Sequence, residues 1–259
     1  MITRNNYTDL PPLPDNYEVD LDEPEFIIRK RLDHDEYGME TKLAYREFSE
    51  KEWRGYYRAY CRLAEMVDKE IGKVLDALSE NGFGDNTIIV FTSDHGDGAA
   101  SHKWAAKLSL YEESAKIPFI ISWDGIISSG DKDASHLVSQ IDILPTLCDY
   151  AGVSSPVDFT GRSLRSIIEN PEAIWRNQLV VELADYEPDR QRKGRMLRSD
   201  KFKYNVYSSG LRNEQFFDLK ADPGEINNLI NDPDYREEIE NHRNMLKEWL
   251  EKTEDTFNF

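Results

Sequence analysis

Apolar side chains recur at helical spacing through Trp53, Tyr56, Tyr60, Leu63, Val67, Ile71, Val74 and Leu78. That stripe predicts one long amphipathic helix with its apolar face in a core. Ser49 and Glu52 form a capping box at its start, and Asn81-Gly82 ends it. The pattern then switches period. NTIIVFTSD reads as a buried strand and KIPFIISW as a second, with SLYEES as a short helical turn between them. VSQIDILPTLCDYAG returns to helical spacing, begun or kinked at Pro145 and closed by Gly152. From Gln178, the runs QLVVELAD, GRMLRSD, KFKYNVYS and EQFFDLK are split by turn residues and predict an antiparallel meander. A last helix, PDYREEIENHRNMLKEWLEKT, carries Ile239, Met245, Leu246, Trp249 and Leu250 on one stripe. The first fifty residues are rich in Pro, Asp and Glu without steady period, and are expected to wrap a surface without forming a core of their own. These textures divide the chain into an irregular wrapping segment over 1–48, an α/β core over 49–172 and a small α+β subdomain over 173–259.

Composition narrows the function classes. With 259 residues and 39% hydrophobic side chains, the chain is large enough to bury a core. Its 50 acidic and 32 basic residues give a formal net charge of -18, a field that repels phosphate backbones and argues against nucleic acid as a partner. An anionic substrate therefore requires a local cluster of cations or a bound metal. No apolar run approaches the roughly twenty residues that span a bilayer, and the first twenty residues lack the apolar stretch of a signal peptide. Cys61 and Cys148 both fall on apolar helical patterns, where buried free thiols are expected.

The chemistry concentrates where the first predicted strand ends. Loops at the carboxyl ends of strands form the ligand crevice of an open α/β sheet, and here the loop reads SDHGDGAASHKWAAK. Asp94 and His95 are adjacent and can bind a divalent cation, with Gly96 and Gly98 letting backbone come close. Taken alone, the same two residues suit a turn cap and a partly buried histidine equally well. His102, Lys103 and Lys107 add cations near this loop in an otherwise acidic chain, and a helical turn would place Lys107 on the face of Tyr111. Lys103 reads as a solvated lysine.

Ser93-Asp94-His95-Gly96, then His102, then Lys107 followed by LYEESAKIPFI, resembles the second half of the sulfatase family within the alkaline-phosphatase superfamily. The helix YYRAYCRLAEMVDKEIGKVLDAL is similar to the family helix before the metal strand, and VSQIDILPTLCDYAG to its Asp-x-x-Pro-Thr helix. FTGRSL resembles the turn that follows, and MLRSDKFKYNVY with EQFFDLKADPGEINNL its small C-terminal subdomain. The likeness covers roughly residues 10 to 250, and the ordered series is far more specific than any one of its members. It implies the rear part of an alkaline-phosphatase-like α/β/α sandwich with a small C-terminal antiparallel sheet and a packed helix. It also implies hydrolysis of a sulfate ester, that of a sulfated carbohydrate, with one calcium ion and a formylglycine nucleophile. Carried over, Asp94 and His95 fall on metal ligands, Lys107 on the lysine that contacts the sulfate, and His102 near the substrate. A periplasmic, secreted or lysosome-like compartment is expected from the family.

The family nucleophile lies in a Cys-x-Pro-Ser-Arg type segment, and this chain has none: Cys61 is followed by RLAE and Cys148 by DYAG. The paired first-strand aspartates that complete the calcium shell are also missing. The expectation is a C-terminal fragment, inactive alone, that would leave sheet edges and apolar surface uncovered. A phosphatase or phosphodiesterase of the same superfamily is the alternative, but such two-metal sites need further histidines. His136 and His242 are expected in surface roles. A non-catalytic protein that binds a glycan or a partner chain is the third reading. The basic run Arg190, Arg192, Lys193 and Arg195 can touch a polyanionic saccharide, although it reads first as a solvated hairpin.

Overall fold

The computed structural model describes residues 9–18, 22–33, 48–154, 157–184 and 192–259. In chain order it contains α1 (Glu25–Asp33), α2 (Glu50–Glu80), β1 (Ile89–Thr92), α3 (Glu112–Ala115), β2 (Phe119–Ser122), α4 (Ile143–Ala151) and α5 (Arg165–Glu169). The meander β3 (Gln178–Ala184), β4 (Lys193–Ser199), β5 (Phe202–Tyr207) and β6 (Glu214–Asp218) follows, then α6 (Arg236–Thr253).

The meander is one antiparallel sheet in sequence order, β3-β4-β5-β6. Period-2 alternation gives it two different faces. Leu197, Tyr204, Val206 and Phe216 point to one side and pack with Ile239, Leu246 and Leu250 of α6 and with Phe257. Met196, Tyr207 and Phe217 point to the other side, where Phe26 and Ile27 of α1 and Trp104, Leu110 and Tyr111 cover them. The N-terminal segment thus does more than wrap: α1 inserts two side chains into a core shared with residues 104–111. That shared core draws on all three stretches that sequence texture separates. α6 buries Ile239, Leu246 and Leu250 as its stripe requires, with Met245 and Trp249 packed at the edge of the cluster.

The first half of the chain is packed differently. The capping box at Ser49 forms as expected, with the Ser49 N–H donating to Glu52 Oε2 at 2.8 Å. Of the α2 stripe, however, only Trp53 is buried, while Tyr60, Leu63, Val67 and Val74 are exposed. β1 and β2 pair antiparallel, Val90 opposite Ile121. They are half-buried where fully buried strands were expected, and Phe91 and Ile120 face outward. Among the described residues these two strands pair only with each other, and no residue of either joins a buried core cluster. Cys61 and Cys148 are free thiols, each only partly buried.

α4 is held by an ionic hub. Asp142, fully buried, accepts both guanidinium nitrogens of Arg176 at 2.7 and 2.5 Å, plus the N–H groups of Ser139 and Arg162. Thr146 Oγ1 donates to the Asp142 carbonyl at 2.5 Å and accepts the Leu164 N–H at 2.8 Å. A Cβ at Gly161 would lie 1.9 Å from the Ile141 carbonyl oxygen, so the FTGRSL turn needs glycine there to approach this helix.

Candidate active site

The loop leaving β1 is strained and tightly bonded. Ala99, Ala100, His102, Lys103, Ala106 and Leu108 all have φ between 47° and 79°, six of the nine such non-glycine residues among those described. Each costs on the order of 1–3 kcal/mol and persists only where surrounding contacts over-determine it. Here a ladder does so: Gly98 N–H donates to the Ala106 carbonyl at 3.0 Å, Ala100 N–H to Trp104 at 3.1 Å, and Trp104 N–H to Ser101 at 2.8 Å. Tyr56 packs against the Trp53 cluster as expected and in addition donates its hydroxyl to Asp97 Oδ1 at 2.9 Å and accepts the Ala106 N–H at 3.3 Å. Asp97 also accepts the Ala99 N–H at 2.8 Å, so it is a loop anchor fastened to α2.

Asp94 and His95 sit at the corner where this loop departs. His95 Nδ1 lies 2.7 Å from the Gly96 carbonyl oxygen. A carbonyl only accepts, so in the neutral ring the proton is on Nδ1 and Nε2 keeps its lone pair. Nε2 faces Asp94 Oδ2 at 3.4 Å. Two electron-pair donors this close are satisfied by a cation between them. The His95 N–H, donating to Asp94 Oδ1 at 2.9 Å, and more weakly the Lys107 ammonium hold the Asp94 carboxyl below its ordinary range. The donor chemistry therefore fits a metal ion, but supplies only two of the roughly six to eight ligands that calcium takes. Among the described residues no group of three or more His, Cys, Asp or Glu is gathered.

Gly96 explains why the corner is where it is. Its N–H donates to the Ser114 carbonyl at 2.9 Å, and a Cβ there would lie 1.8 Å from the Glu113 carbonyl oxygen. The corner rests directly on the backbone of α3. Lys107 is exposed and carries no ion pair or side-chain hydrogen bond among the described residues. It does not share a helical face with Tyr111 as spacing suggested, because Leu108 turns to φ 74° and α3 begins only at Glu112. Lys103 is paired with Glu18 at 2.7 Å and lies over the Tyr17 ring.

His102 is turned inward, 3% exposed, with its ring stacked on Tyr111 at 3.8 Å. Its N–H donates to the Asn16 carbonyl at 2.7 Å and its carbonyl accepts Arg31 Nη2 at 3.0 Å. Nε2 is 3.2 Å from Asn16 Nδ2, which also donates to Glu113 Oε1 at 2.7 Å and to the Gly224 carbonyl at 3.0 Å. Burial holds the imidazole below its ordinary pKa against the pull of Glu113 and Glu23. Sequence reading missed Asn16, because an asparagine in the turn-rich stretch PPLPDNYE has nothing to mark it apart from its neighbours.

The remaining histidines lie elsewhere. His136 Nδ1 is 2.6 Å from Asp133 Oδ2. His242 is buried, with Nε2 2.9 Å from Ser199 Oγ and its ring against Phe216. Its expected surface role is corrected: α6 brings it into the aromatic core. Arg195 is likewise no solvated hairpin residue, since it is 4% exposed and paired with Asp255 at 2.7 Å. Arg190 lies outside the described residues. Neither cysteine stands in the strand-end loop, and neither has the sequence context of a formylglycine precursor.

A family model described as sulfatase matches residues 22–153, and one described as N-sulphoglucosamine sulphohydrolase, C-terminal, matches residues 100–254. The Delta 4,5-hexuronate-2-O-sulfatase of Bacteroides thetaiotaomicron is 35% identical over 260 residues, covering 96% of this chain and 51% of that protein. A solved 2-O GAG sulfatase superposes with a TM-score of 0.85 at 32% identity, covering 97% of this chain and 54% of the other. A structure in complex with its substrate D-glucosamine-2-N,6-O-disulfate has a TM-score of 0.73 at 30% identity, covering 80% of this chain and 42% of the other. The chain spans about half the length of the curated relatives it matches.

Proposed function

The chain belongs to the sulfatase family and forms a C-terminal α/β part of its alkaline-phosphatase-like fold; from that premise we propose that it carries half of an active site for hydrolysing sulfate esters of carbohydrates. The observation that supports this most is the Asp94–His95 corner, where two donors face each other at 3.4 Å and Lys107, without an ion pair among the described residues, adds its charge. Asp94 and His95 would hold a calcium ion. Bound there, the ion supplies positive charge that neutralises oxygens of the sulfate.

The chain's own residues take the remaining roles assigned to them. Lys107 directs its ammonium at the sulfate oxygens, where charge develops during cleavage. His102, held below its ordinary pKa chiefly by burial and stacked on Tyr111 with Asn16 at Nε2, braces the loop from beneath; a place beside the substrate would require its ring to turn outward. The nucleophile and the other metal ligands come from polypeptide of the kind the longer relatives carry. The uncovered apolar face of α2, β1 and β2 is the surface that polypeptide would cover. Cys61 and Cys148, followed by RLAE and DYAG, lack the sequence surroundings of a formylglycine precursor and do not supply the nucleophile.

The test has two arms. The chain alone is expected to hydrolyse aryl sulfate and sulfated sugars no faster than its Asp94→Ala variant. Joined to the N-terminal half of a sulfatase relative, it should turn over, with Lys107→Ala lowering the rate on the order of a hundredfold and Lys103→Ala doing far less, since Lys103 is already paired. Turnover by the chain alone, or a joined enzyme indifferent to Lys107, would overturn the assignment.

A further inference from the structure

The shared face of the meander carries polar side chains as well as the apolar ones. Lys203 is fully buried, and its ammonium lies 2.8 Å from Glu225 Oε1 and 3.2 Å from Glu112 Oε1. Glu225 is itself 3% exposed and sits at φ 54°, a strained position outside any regular element. Its Oε2 accepts the backbone N–H of Glu112 at 2.5 Å. Residues of the C-terminal subdomain therefore grip the first residue of α3 by both its side chain and its backbone.

Two residues further on, the Ser114 carbonyl accepts the Gly96 N–H. The preceding residue, Gly224, offers its carbonyl to the Asn16 amide that touches His102. One short stretch, 224–225, thus reaches the Asp94–His95 corner through the first turn of α3, by way of Glu112 and Ser114, and the His102 ring through Asn16. A buried ammonium between two carboxylates is not needed for stability, because well-packed apolar residues commonly do as well or better. What such a grouping does supply is fixed geometry.

We propose that Lys203 and Glu225 are positioning residues for the Asp94–His95 corner, acting through the first turn of α3. The proposal rests on reading that corner as the cation-holding half-site, but its test reads backbone geometry and leaves turnover aside. Hydrogen exchange at the Gly96 amide of the full chain is the probe, with Leu246→Ala as a control that destabilises the far side of the same sheet.

Glu225→Ala is expected to raise Gly96 exchange at least about tenfold more than Leu246→Ala does at matched global stability. Glu225→Gln, whose amide oxygen can still accept the Glu112 N–H, should hold it within about threefold of wild type. A Glu225→Ala effect no larger than the control, or failure of glutamine to rescue, overturns the proposal. Should Glu225→Ala not fold, Glu225→Leu, which also removes the acceptor, takes its place against the same control, with the same two outcomes. Neither result bears on whether sulfate esters are hydrolysed, so the two conclusions fail separately.

Discussion

The two halves of this chain use similar amounts of apolar sequence to opposite effect. In the meander and α6, Leu197, Tyr204, Val206, Phe216 and Leu246 are all at 0% exposure, and the opposite face of the same sheet is also closed. On α2, Leu63, Met66, Val67 and Val74 are between 57% and 68% exposed, although their spacing is that of a core stripe. Helical periodicity records that a face is meant to be covered. It does not say whether the cover lies within the same stretch of chain. Full burial of a leucine or valine contributes about 1.5–3 kcal/mol, so one half draws on that stabilisation and the other largely forgoes it.

That contrast is broken most sharply at its ionic hub. Arg176→Ala leaves Asp142 charged and buried without its partner, and is expected to cost about 3–5 kcal/mol in denaturant unfolding; a loss under 1 kcal/mol would mean that water reaches Asp142. Leu246→Ala should cost about 2–5 kcal/mol by the same measurement. A value at the bottom of that range would show that the α6 side collapses around the cavity.

Next comes a pH effect confined to the closed half. Burial pushes Glu225 up to about 7 from its ordinary 4.5, with Lys203 opposing the shift and Glu112 reinforcing it. Burial also opposes ionisation of Glu112, but the pull of Lys203 outweighs it and leaves Glu112 below its ordinary value. Because the folded pKa of Glu225 exceeds the unfolded one, the folded protein holds the extra proton between them. Its contribution is intact below about pH 4.5 and is lost as pH rises through about 7. Comparing Glu225→Gln with wild type, the difference in unfolding free energy should shift in favour of glutamine between those limits, by on the order of 3 kcal/mol. A flat difference would mean that Lys203 keeps Glu225 ionised throughout.

The smallest effect is expected on the open face. Leu63→Ala and Met66→Ala should each change stability by less than about 0.5 kcal/mol, and converting both residues to lysine should lower binding of a hydrophobic dye without unfolding the chain. Destabilisation of 2 kcal/mol or more would show that this face is covered after all.

Much of the architecture was legible in order and type. The capping box at Ser49, the stop at Asn81-Gly82, the short helix in SLYEES, the four-strand meander and the α6 stripe all depend on local periodicity and capping, which act within a few residues. The strand-end loop was legible for a related reason: Asp, His, Gly and Lys crowded after a run of β-formers contrast with everything around them.

What local pattern could not specify is which faces meet. In FKYNVY, alternation read alone assigns Phe202, Tyr204 and Val206 to the interior and Lys203 and Asn205 to solvent, yet both sides are buried because α1 and residues 104–111 close the second face. For the same reason Asn16, Glu112 and Glu225, separated by up to 209 positions in the chain, converge beneath the candidate site without any sequence signal. The sequence by itself determined the elements, their caps and the chemistry offered at the end of β1, because those follow from short-range spacing. Only the tertiary structure decided that His102 turns inward, that Lys107 stays out, and that one half is closed while the other remains open, because burial depends on what lies opposite.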